Sequence, residues 1–170
     1  MTNKSLDKLQ KVIEYKFNNL EVLISALTHK SYAAETGLKY YNERMEFLGD
    51  SILSAIVAEN LYKRYPLEAE GKLSQLKSQI VSAQNLSQWA KEIKLGDYII
   101  LGKSEDSADA RNRESLLCDL FEAVVGAIYL DGGFDSSRKF VLKFLDKQTD
   151  IVITDYKSRL QEIAQSEYKE

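Results

Sequence analysis

The strongest constraint in the sequence is an apolar stretch from Ser115 to Leu130 that contains two acids, Asp119 and Glu122. The longest apolar run, residues 123–130, is far too short to cross a bilayer, so the stretch predicts a buried helix. Residues three positions apart lie on one helical face, which places the two carboxylates together. An ionised carboxylate beside so much buried surface is unfavourable unless a neighbouring group compensates its charge.

A second predicted helix also carries acids on one face. It begins after Asn42, a suitable N-cap residue, and ends just before Pro66. Glu43, Glu46 and Asp50 stand at i, i+3 and i+7 and therefore share one face. The predicted apolar stripe of this helix consists of Phe47, Leu48, Ile52, Leu53, Ile56, Val57 and Leu61.

Two glycines accompany these acids: Gly49 precedes Asp50, and Gly126 lies one turn beyond Glu122. A glycine inside a helix costs roughly 1 kcal/mol relative to alanine, and close approach of two helix backbones is one reason to tolerate it. We therefore expect the two helices to cross near Gly49 and Gly126, bringing the acidic pairs together. Four carboxylates would repel one another, and a divalent cation removes that conflict. Mg²⁺ prefers oxygen ligands, so one or two Mg²⁺ ions are expected, with Mn²⁺ as a plausible substitute.

The rest of the chain favours a mostly helical fold. Among 170 residues there are one Pro and eight Gly, fewer turn residues than several short strands usually need. Further helices are predicted over residues 70–80, 84–93 and 136–147, with a break at residues 131–133. A strand-like piece at residues 97–101 has no partner of similar character, and residues 102–113 are expected to form a mobile polar loop.

Charge and cysteine content exclude several classes of function. The net charge of −3 is not that of a polybasic nucleic-acid binder of the usual kind. Cys118 and His29 are the only residues of their types, which excludes an internal disulfide and a zinc site of the Cys/His kind. A cytoplasmic setting without membrane attachment is expected. We expect His29 to pack or form hydrogen bonds, and Cys118 to behave as a small hydrophobe.

Four motifs, in order along the chain, resemble ribonuclease III. The acidic helices read NERMEFLGDSIL at residues 42–53 and DLFEAVVGAIYLDGG at residues 119–133. Two further stretches, ALTHKSY at residues 26–32 and EGKLS at residues 70–74, match the same family. Together they cover most of residues 20–133, which makes the resemblance specific.

The resemblance implies an all-α nuclease-domain fold that forms a symmetric homodimer. The metal-binding acids that it implies are Glu46, Asp50, Asp119 and Glu122. Catalysis is expected to depend most on Glu122 and Asp50. Glu43 and Glu70 match accessory acids near the same centre. Phe47 matches an aromatic side chain that packs into the partner subunit, and an ordinary core position is the alternative.

The resemblance also implies a substrate and a reaction. Double-stranded RNA would lie in a valley across the dimer and be recognised by its shape. Mg²⁺-dependent hydrolysis by attack of water in line at phosphorus would leave 5′-phosphate and 3′-hydroxyl ends, in rRNA precursors and other structured RNAs, with no organic cofactor. The candidate RNA-contacting cations are Lys72, Lys77, Lys103, Arg111 and Arg113, for each of which a solvated surface position is the alternative. The loop at residues 102–113 lacks the adjacent glycines common in the family.

The domain organisation is also an expectation from the resemblance. Residues 1–148 would form the nuclease domain, residues 149–156 a linker and residues 157–170 a stub. The segment DYKSRLQE at residues 155–162 resembles the opening of the double-stranded-RNA-binding domain that follows the nuclease in full-length bacterial members. We therefore expect an excised nuclease domain, and a plain amphipathic C-terminal helix is the alternative.

Other interpretations of the acids stay open at this point. They would be ordinary salt-bridged surface residues if the two pairs lay on opposite sides of the fold. A catalytically silent RNA-binding module of the same fold is a second alternative, although such relatives are expected to lose the acids. A metal-dependent phosphohydrolase of small molecules is the third, and a monomeric state would favour it.

Overall fold

The computed structural model describes residues 3–147, and this part of the chain is helical. The α-helices, in chain order, are α1 (Asn3–Ile13), α2 (Leu20–Leu27), α3 (Lys30–Thr36), α4 (Glu43–Arg64), α5 (Glu70–Ile80), α6 (Ala83–Glu92), α7 (Ala108–Arg111) and α8 (Glu114–Leu145). A short 3₁₀ helix, Leu95–Tyr98, lies between α6 and α7. Residues 3–147 contain one isolated β-bridge and no strand, so the all-α prediction is confirmed. The expected linker and C-terminal stub lie outside the described residues.

Helices α4 and α8 cross at the centre of the fold, where each has a glycine. A Cβ atom on Gly49 would overlap the carbonyl oxygen of Glu122, and one on Gly126 would overlap that of Met45. The Gly126 Cβ position is also 3.2 Å from the backbone nitrogen of Gly49. The absence of a side chain on glycine permits this approach of the two backbones. The predicted crossing is therefore confirmed.

Helix α8 bends at Gly133, whose φ of 78° and ψ of −177° are not helical. Glycine adopts a positive φ at little cost, which explains why the break predicted here becomes a kink between two helical segments. Asp131, just before the kink, accepts hydrogen bonds from the Tyr15 hydroxyl at 2.7 Å and from the backbone N–H groups of Asn18 and Asn19 at 2.8 and 2.9 Å. These bonds attach the α1–α2 connection to α8.

The core contains a group of aromatic rings from α6 and α8. Trp89 and Phe144 stack with their ring centroids 5.2 Å apart, and Phe121 packs edge-on against both. Such arrangements add to the stabilisation that burial of the rings alone provides. Trp89 is 2% exposed and is therefore a packing residue of this core.

The start of α4 differs from its prediction in two respects. Phe47 is 77% exposed, so the interpretation of Phe47 as a core residue is wrong. Asn42 precedes the helix as expected but its side chain makes no capping hydrogen bond, and its carbonyl accepts the first helical N–H groups, from Met45 and Glu46. Further along the helix, the buried members of the predicted apolar stripe are Leu53, Ile56, Val57 and Leu61.

The strand-like piece at residues 97–101 does have a partner. The Ile100 N–H donates to the carbonyl of Leu27 at 2.8 Å, and the His29 N–H donates to the carbonyl of Ile100 at 3.0 Å. These bonds make a parallel bridge between Ile100 and Thr28. The motif that begins α3 is thus joined to the segment before the polar loop.

The polar loop at residues 102–113 is folded, in contrast to the prediction of a mobile segment. The carboxylate of Glu35 accepts hydrogen bonds from the N–H groups of Lys103 at 3.0 Å and Ser104 at 3.3 Å. The Gly102 N–H donates to the Ser31 hydroxyl at 2.9 Å. The loop is therefore attached to α3, and its second half forms α7. None of the helices in residues 3–147 is long and apolar enough to cross a membrane.

Candidate metal centre

The α4–α8 crossing brings the two acidic pairs to one site. Glu46 and Asp50 come from α4, and Asp119 and Glu122 come from α8. The charges of Asp50, Glu46 and Asp119 each raise the pKa of Glu122. Coulomb interactions fall with distance and with solvent screening, so these effects require neighbouring carboxylates. The alternative in which the pairs lie on opposite sides of the fold is wrong.

Glu122 is the most buried of the four acids, with 9% of its surface exposed. Burial is the main cause that raises its pKa from the usual 4.5 to about 8, and repulsion by the other acids adds to this. Within residues 3–147 its carboxylate has no hydrogen-bond or ion-pair partner. A buried carboxylate without a partner is unfavourable in its charged form, and a bound cation would relieve that penalty.

Two further acids at the crossing have raised pKa values. Burial is the first cause for both Glu46 and Asp119. The charges of His29 and Lys30 oppose the shift at Asp119. The Lys30 ammonium is itself paired with Glu43, 3.1 Å away, and this pairing is the main cause that raises the pKa of Lys30. The site therefore has more negative charge than its neighbouring cations neutralise.

His29 borders the site and forms hydrogen bonds in the way that was predicted. It is the N-cap residue of α3, where its Nδ1 accepts a hydrogen bond from the Ser31 N–H at 3.2 Å. The same Nδ1 lies 3.4 Å from Oε2 of Glu105. These contacts link the start of α3 to the polar loop, next to Asp119.

Sequence reasoning missed one side chain of this site. The Sγ of Cys118 and one carboxylate oxygen from each of Asp119 and Glu122 lie within 4.8 Å of one another. Burial, followed by the charge of Glu122, raises the pKa of this thiol to about 12, and Glu46 and Asp50 contribute. The spacing of i, i+1 and i+4 along α8 is the signal that could have identified Cys118 as a neighbour of the acids.

The two accessory acids occupy different positions. Glu43 is the first residue of α4, and its charge contributes to the raised pKa of Glu46. Glu70 is an exposed residue at the first position of α5, where its Oε1 accepts a hydrogen bond from the Ser74 hydroxyl at 2.6 Å. The electrostatic neighbourhood of the centre thus includes Glu43, while the hydrogen bond of Glu70 stays within α5.

Arg111 differs from the other candidate RNA-contacting cations because its partly exposed guanidinium is bonded to backbone carbonyls of the protein. Its Nη1 donates to the backbone carbonyls of Gly96 and Ile99, both at 3.0 Å. Its Nε donates to Asp106 at 2.8 Å. Arg111 therefore fastens α7 to the 3₁₀ helix before it.

In the described part of the chain, the side chains of the other four candidate cations make fewer bonds to the protein than Arg111 does. Arg113 is paired with Glu105 at 3.3 Å, and half of its side chain is exposed. Lys103 is exposed on the loop that Glu35 holds. Lys72 and Lys77 are half-buried on α5.

A pocket of about 370 Å³ with a mostly apolar lining opens at the start of α4, the segment that carries the exposed Phe47. The neighbours of Phe47 on α4, Met45 and Leu48, line this pocket together with Tyr40 and Leu130. Tyr40 and Leu130 are themselves 74% and 54% exposed. An exposed aromatic ring and an apolar pocket thus share the start of α4.

The donor set at the crossing fits a hard divalent cation. It consists of four carboxylates, and two helices that are packed backbone to backbone position them. Mg²⁺ binds carboxylates and retains several waters, so it does not require a closed protein cage. The residues that would hold it are Glu46, Asp50, Asp119 and Glu122.

Comparison with known proteins agrees with this fold and motif pattern. Residues 19–149 match the family described as Ribonuclease-III-like. The chain is 45% identical to Ribonuclease 3 of Borreliella burgdorferi, over 99% of this chain and 73% of that protein. It is 48% identical to Ribonuclease 3 of Borreliella afzelii, over 90% of this chain and 65% of that protein.

A solved structure gives the same answer for the fold. It is the nuclease domain of ribonuclease III from Campylobacter jejuni, described for structural flexibility in the region involved in its dimer formation. The match has a TM-score of 0.79 at 35% identity and covers 85% of this chain and 98% of that one. This chain therefore belongs to the ribonuclease III family and is an endoribonuclease of the ribonuclease III type.

Proposed function

We propose that the chain hydrolyses phosphodiester bonds of double-stranded RNA with Mg²⁺, leaving 5′-phosphate and 3′-hydroxyl ends, and that it processes rRNA precursors and other structured RNAs. The observation that carries this proposal is the buried, unpartnered carboxylate of Glu122 among three other acids. Mn²⁺ is the expected substitute for Mg²⁺, because it also accepts oxygen ligands.

The four acids have complementary roles in this proposal. When bound, Mg²⁺ polarises the scissile phosphate and lowers the pKa of water for attack at phosphorus. Glu122 and Asp50 come from the two crossing helices, the charge of Asp50 raises the pKa of Glu122, and they are the pair on which catalysis would depend most. Glu46 and Asp119 complete the oxygen donor set. The glycine contact fixes the two helices against each other. The side chains of Glu46 and Asp50 would close on the ion from α4, since among the four acids only Asp119 and Glu122 belong to the described group whose donor atoms already lie within 4.8 Å of one another.

A symmetric dimer is part of the proposal. The exposed Phe47 and a pocket lined by its neighbours Met45 and Leu48 both belong to the start of α4, and in a twofold dimer each copy would insert its ring into the pocket of the other. Exposed apolar side chains around the pocket, including Tyr40 and Leu130, would be covered by this contact. The two metal centres would then lie on one assembly, and a duplex would cross both.

RNA binding would rest on shape and on a small number of cations. The wide minor groove of A-form RNA exposes 2′-hydroxyls and phosphates, which a protein reads largely without regard to sequence. Lys103 and Arg113 are exposed enough to reach phosphates, and Lys72 and Lys77 offer part of their side chains. Arg111 contributes indirectly, by fastening the segment that carries its neighbours.

Cleavage of a long perfect RNA duplex at low salt tests the proposal. The parent chain should cut with Mg²⁺ and stop when EDTA is added. Glu122→Gln should abolish cutting while the protein stays folded. Glu114→Gln is the matched control, because Glu114 is an exposed glutamate at the start of the same helix.

Two results would contradict the proposal. A folded, dimeric parent that binds the duplex but never cuts it would indicate the silent RNA-binding module. A monomer that ignores duplex RNA and hydrolyses small phosphate esters would indicate the phosphohydrolase. Loss of cutting in both Glu122→Gln and Glu114→Gln would mean that Glu122 has no special part in the reaction.

A further inference from the structure

A sulfur donor stands among the oxygen donors of the centre. Cys118, Asp119 and Glu122 occupy positions i, i+1 and i+4 of α8, and their donor atoms lie within 4.8 Å of one another. Cys118 is 8% exposed, and all four acids of the crossing act on its thiol. The thiol therefore lies beside two of the acids, at the edge of the buried core to which Cys118 also belongs.

The buried state of Glu122 distinguishes this group from an ordinary cluster of surface acids. The Glu122 residue is nine-tenths buried, its carboxylate has no partner within the described chain, and that carboxylate is one of the three converging donors. Such a group favours any cation that reaches it. Which cation binds most tightly depends on the donor atom beside the Glu122 carboxylate.

Sulfur and oxygen donors select different metals. Mg²⁺ takes oxygen ligands and gains little from a thiol, whereas zinc-like ions bind thiolate, carboxylate and water together. Soft ligands favour softer ions, which ordinarily bind mixed sites more tightly than Mg²⁺ does. A thiol at a magnesium centre therefore creates a second binding preference at the same place.

We propose that Cys118, Asp119 and Glu122 form a site for a thiophilic divalent cation of the zinc and cadmium class, which overlaps the Mg²⁺ site and excludes Mg²⁺ from it. On binding, the Cys118 S–H bond breaks, the proton passes to solvent and a sulfur–metal bond forms, with no change of oxidation state. Binding of the thiophilic cation rests on the three donors alone. Its consequence, inhibition of RNA cleavage, rests on the proposed function.

Cadmium is the probe, because a thiolate–cadmium bond produces a near-ultraviolet charge-transfer band. Cys118 is the only cysteine in the sequence, so the band reports on this residue alone. Titration of the metal-free chain with Cd²⁺ should give a band that saturates at one ion per chain, with release of protons into a weak buffer. Excess Mg²⁺ should raise the Cd²⁺ concentration needed for half-saturation.

Variants identify the donors. Cys118→Ser and Cys118→Ala should both lose the band and bind Cd²⁺ on the order of tenfold more weakly or worse. Two replacements are used so that one remains if the other does not fold, as judged by circular dichroism. Glu122→Gln should weaken Cd²⁺ binding, and Glu114→Gln should leave it at the parental value.

The outcomes separate this inference from the proposed function. A parent that cuts RNA with Mg²⁺ but shows no charge-transfer band, or a Cys118→Ser chain with parental Cd²⁺ affinity, overturns the thiophilic site alone. A parent that shows the band but never cuts RNA overturns the proposed function and leaves the site standing. If the thiophilic site and the proposed function both hold, Zn²⁺ should inhibit cleavage by the parent at lower concentrations than those at which it inhibits cleavage by Cys118→Ala.

Discussion

The backbone of Gly49 on α4 lies directly against the carbonyl group of Glu122 on α8, with no room for a Cβ atom between them. The same contact that packs the two longest helices thus fixes the position of the most buried acid. Both the α4–α8 packing and the position of Glu122 therefore depend on Gly49, which has no side chain.

Replacement of Gly49 by alanine should lower both the stability of the fold and the affinity for Mg²⁺. The new methyl group would meet backbone atoms of α8, which cannot move aside as a flexible side chain can. We expect the free energy of unfolding to fall by about 3 kcal/mol or more, at the upper end of the range for overpacked cores. Mg²⁺ affinity should fall as well, because separation of the helices moves the carboxylates apart. Urea denaturation and calorimetric Mg²⁺ titration measure the two effects.

Gly71→Ala is the matched control for this substitution. Gly71 lies in the first turn of α5, and a Cβ built there meets no atom within 4 Å. Alanine is the better helix former, so this variant should be unchanged or more stable by up to about 1 kcal/mol. Equal effects of the two substitutions would show that the close approach at Gly49 is unimportant.

The pKa of Glu122 predicts how the metal-free protein responds to pH. Glu122 is protonated up to about pH 8 in the fold, whereas a glutamate with the usual pKa of 4.5 loses its proton earlier in the unfolded chain. The unfolded state is thus increasingly favoured as pH rises from about 4.5, and the loss of stability is complete above about pH 8. At 1.36 kcal/mol for each pKa unit, the loss at pH 7 is about 3 kcal/mol at most.

Denaturation in EDTA between pH 5 and pH 8 tests this relation. Glu122→Gln should flatten the decline, because an amide does not ionise, and it should be more stable than the parent at pH 7 without metal. Saturating Mg²⁺ should restore stability to the parent and do little for Glu122→Gln. A parent whose stability rises steadily with pH in EDTA would contradict the assignment of a buried, repelled carboxylate.

The helices and the four acids were predictable because both follow from local spacing. Intervals of three and four residues put Glu46 beside Asp50, and Asp119 beside Glu122, on single helical faces. A glycine within each apolar helix indicated where the two backbones meet. The bridge between Thr28 and Ile100 was not predictable in this way, since it joins two short segments that are distant in sequence.

Burial of individual side chains was harder to predict than the helices. Phe47 belongs to the apolar stripe of α4 by sequence, yet it is 77% exposed, whereas α8 packs against the backbone of Met45 and Gly49 on the same helix. Cys118 is apolar by type and buried as expected, but its neighbours are the acids. Residue type indicates that a side chain is buried, and only the tertiary arrangement shows what it contacts.

The exposure of Phe47 predicts an effect on the dimer. Phe47→Ala should weaken dimerisation by about 2 kcal/mol or more, roughly thirtyfold in the dissociation constant, because central aromatic anchors carry much of an interface's binding energy. Tyr62→Ala is the control, since Tyr62 is a similarly exposed aromatic (73%) further along α4. Sedimentation over a range of concentrations measures both. Equal weakening by the two substitutions would argue against an interface centred on Phe47.

Two cations of the polar loop, Arg111 and Lys103, should respond differently to replacement by alanine. Arg111→Ala removes a charged donor from two backbone carbonyls, so the free energy of unfolding should fall by about 2 kcal/mol. Lys103→Ala removes an exposed side chain and keeps the backbone bond to Glu35, so stability should change by less than about 0.5 kcal/mol.

For RNA affinity the order of the two effects should be reversed, with Lys103→Ala having a larger effect than Arg111→Ala. In a chain that also carries Glu122→Gln to prevent cutting, Lys103→Ala should weaken duplex binding and reduce the slope of log affinity against log salt by about 1, as loss of one phosphate contact does. Denaturation and binding measured on the same samples check both halves of the prediction. A Lys103→Ala chain with the parental salt slope would show that this lysine does not contact phosphate. A stable Arg111→Ala chain with a reduced slope would assign the phosphate contact to Arg111, because its bonds to the carbonyls of Gly96 and Ile99 would then be dispensable for the fold.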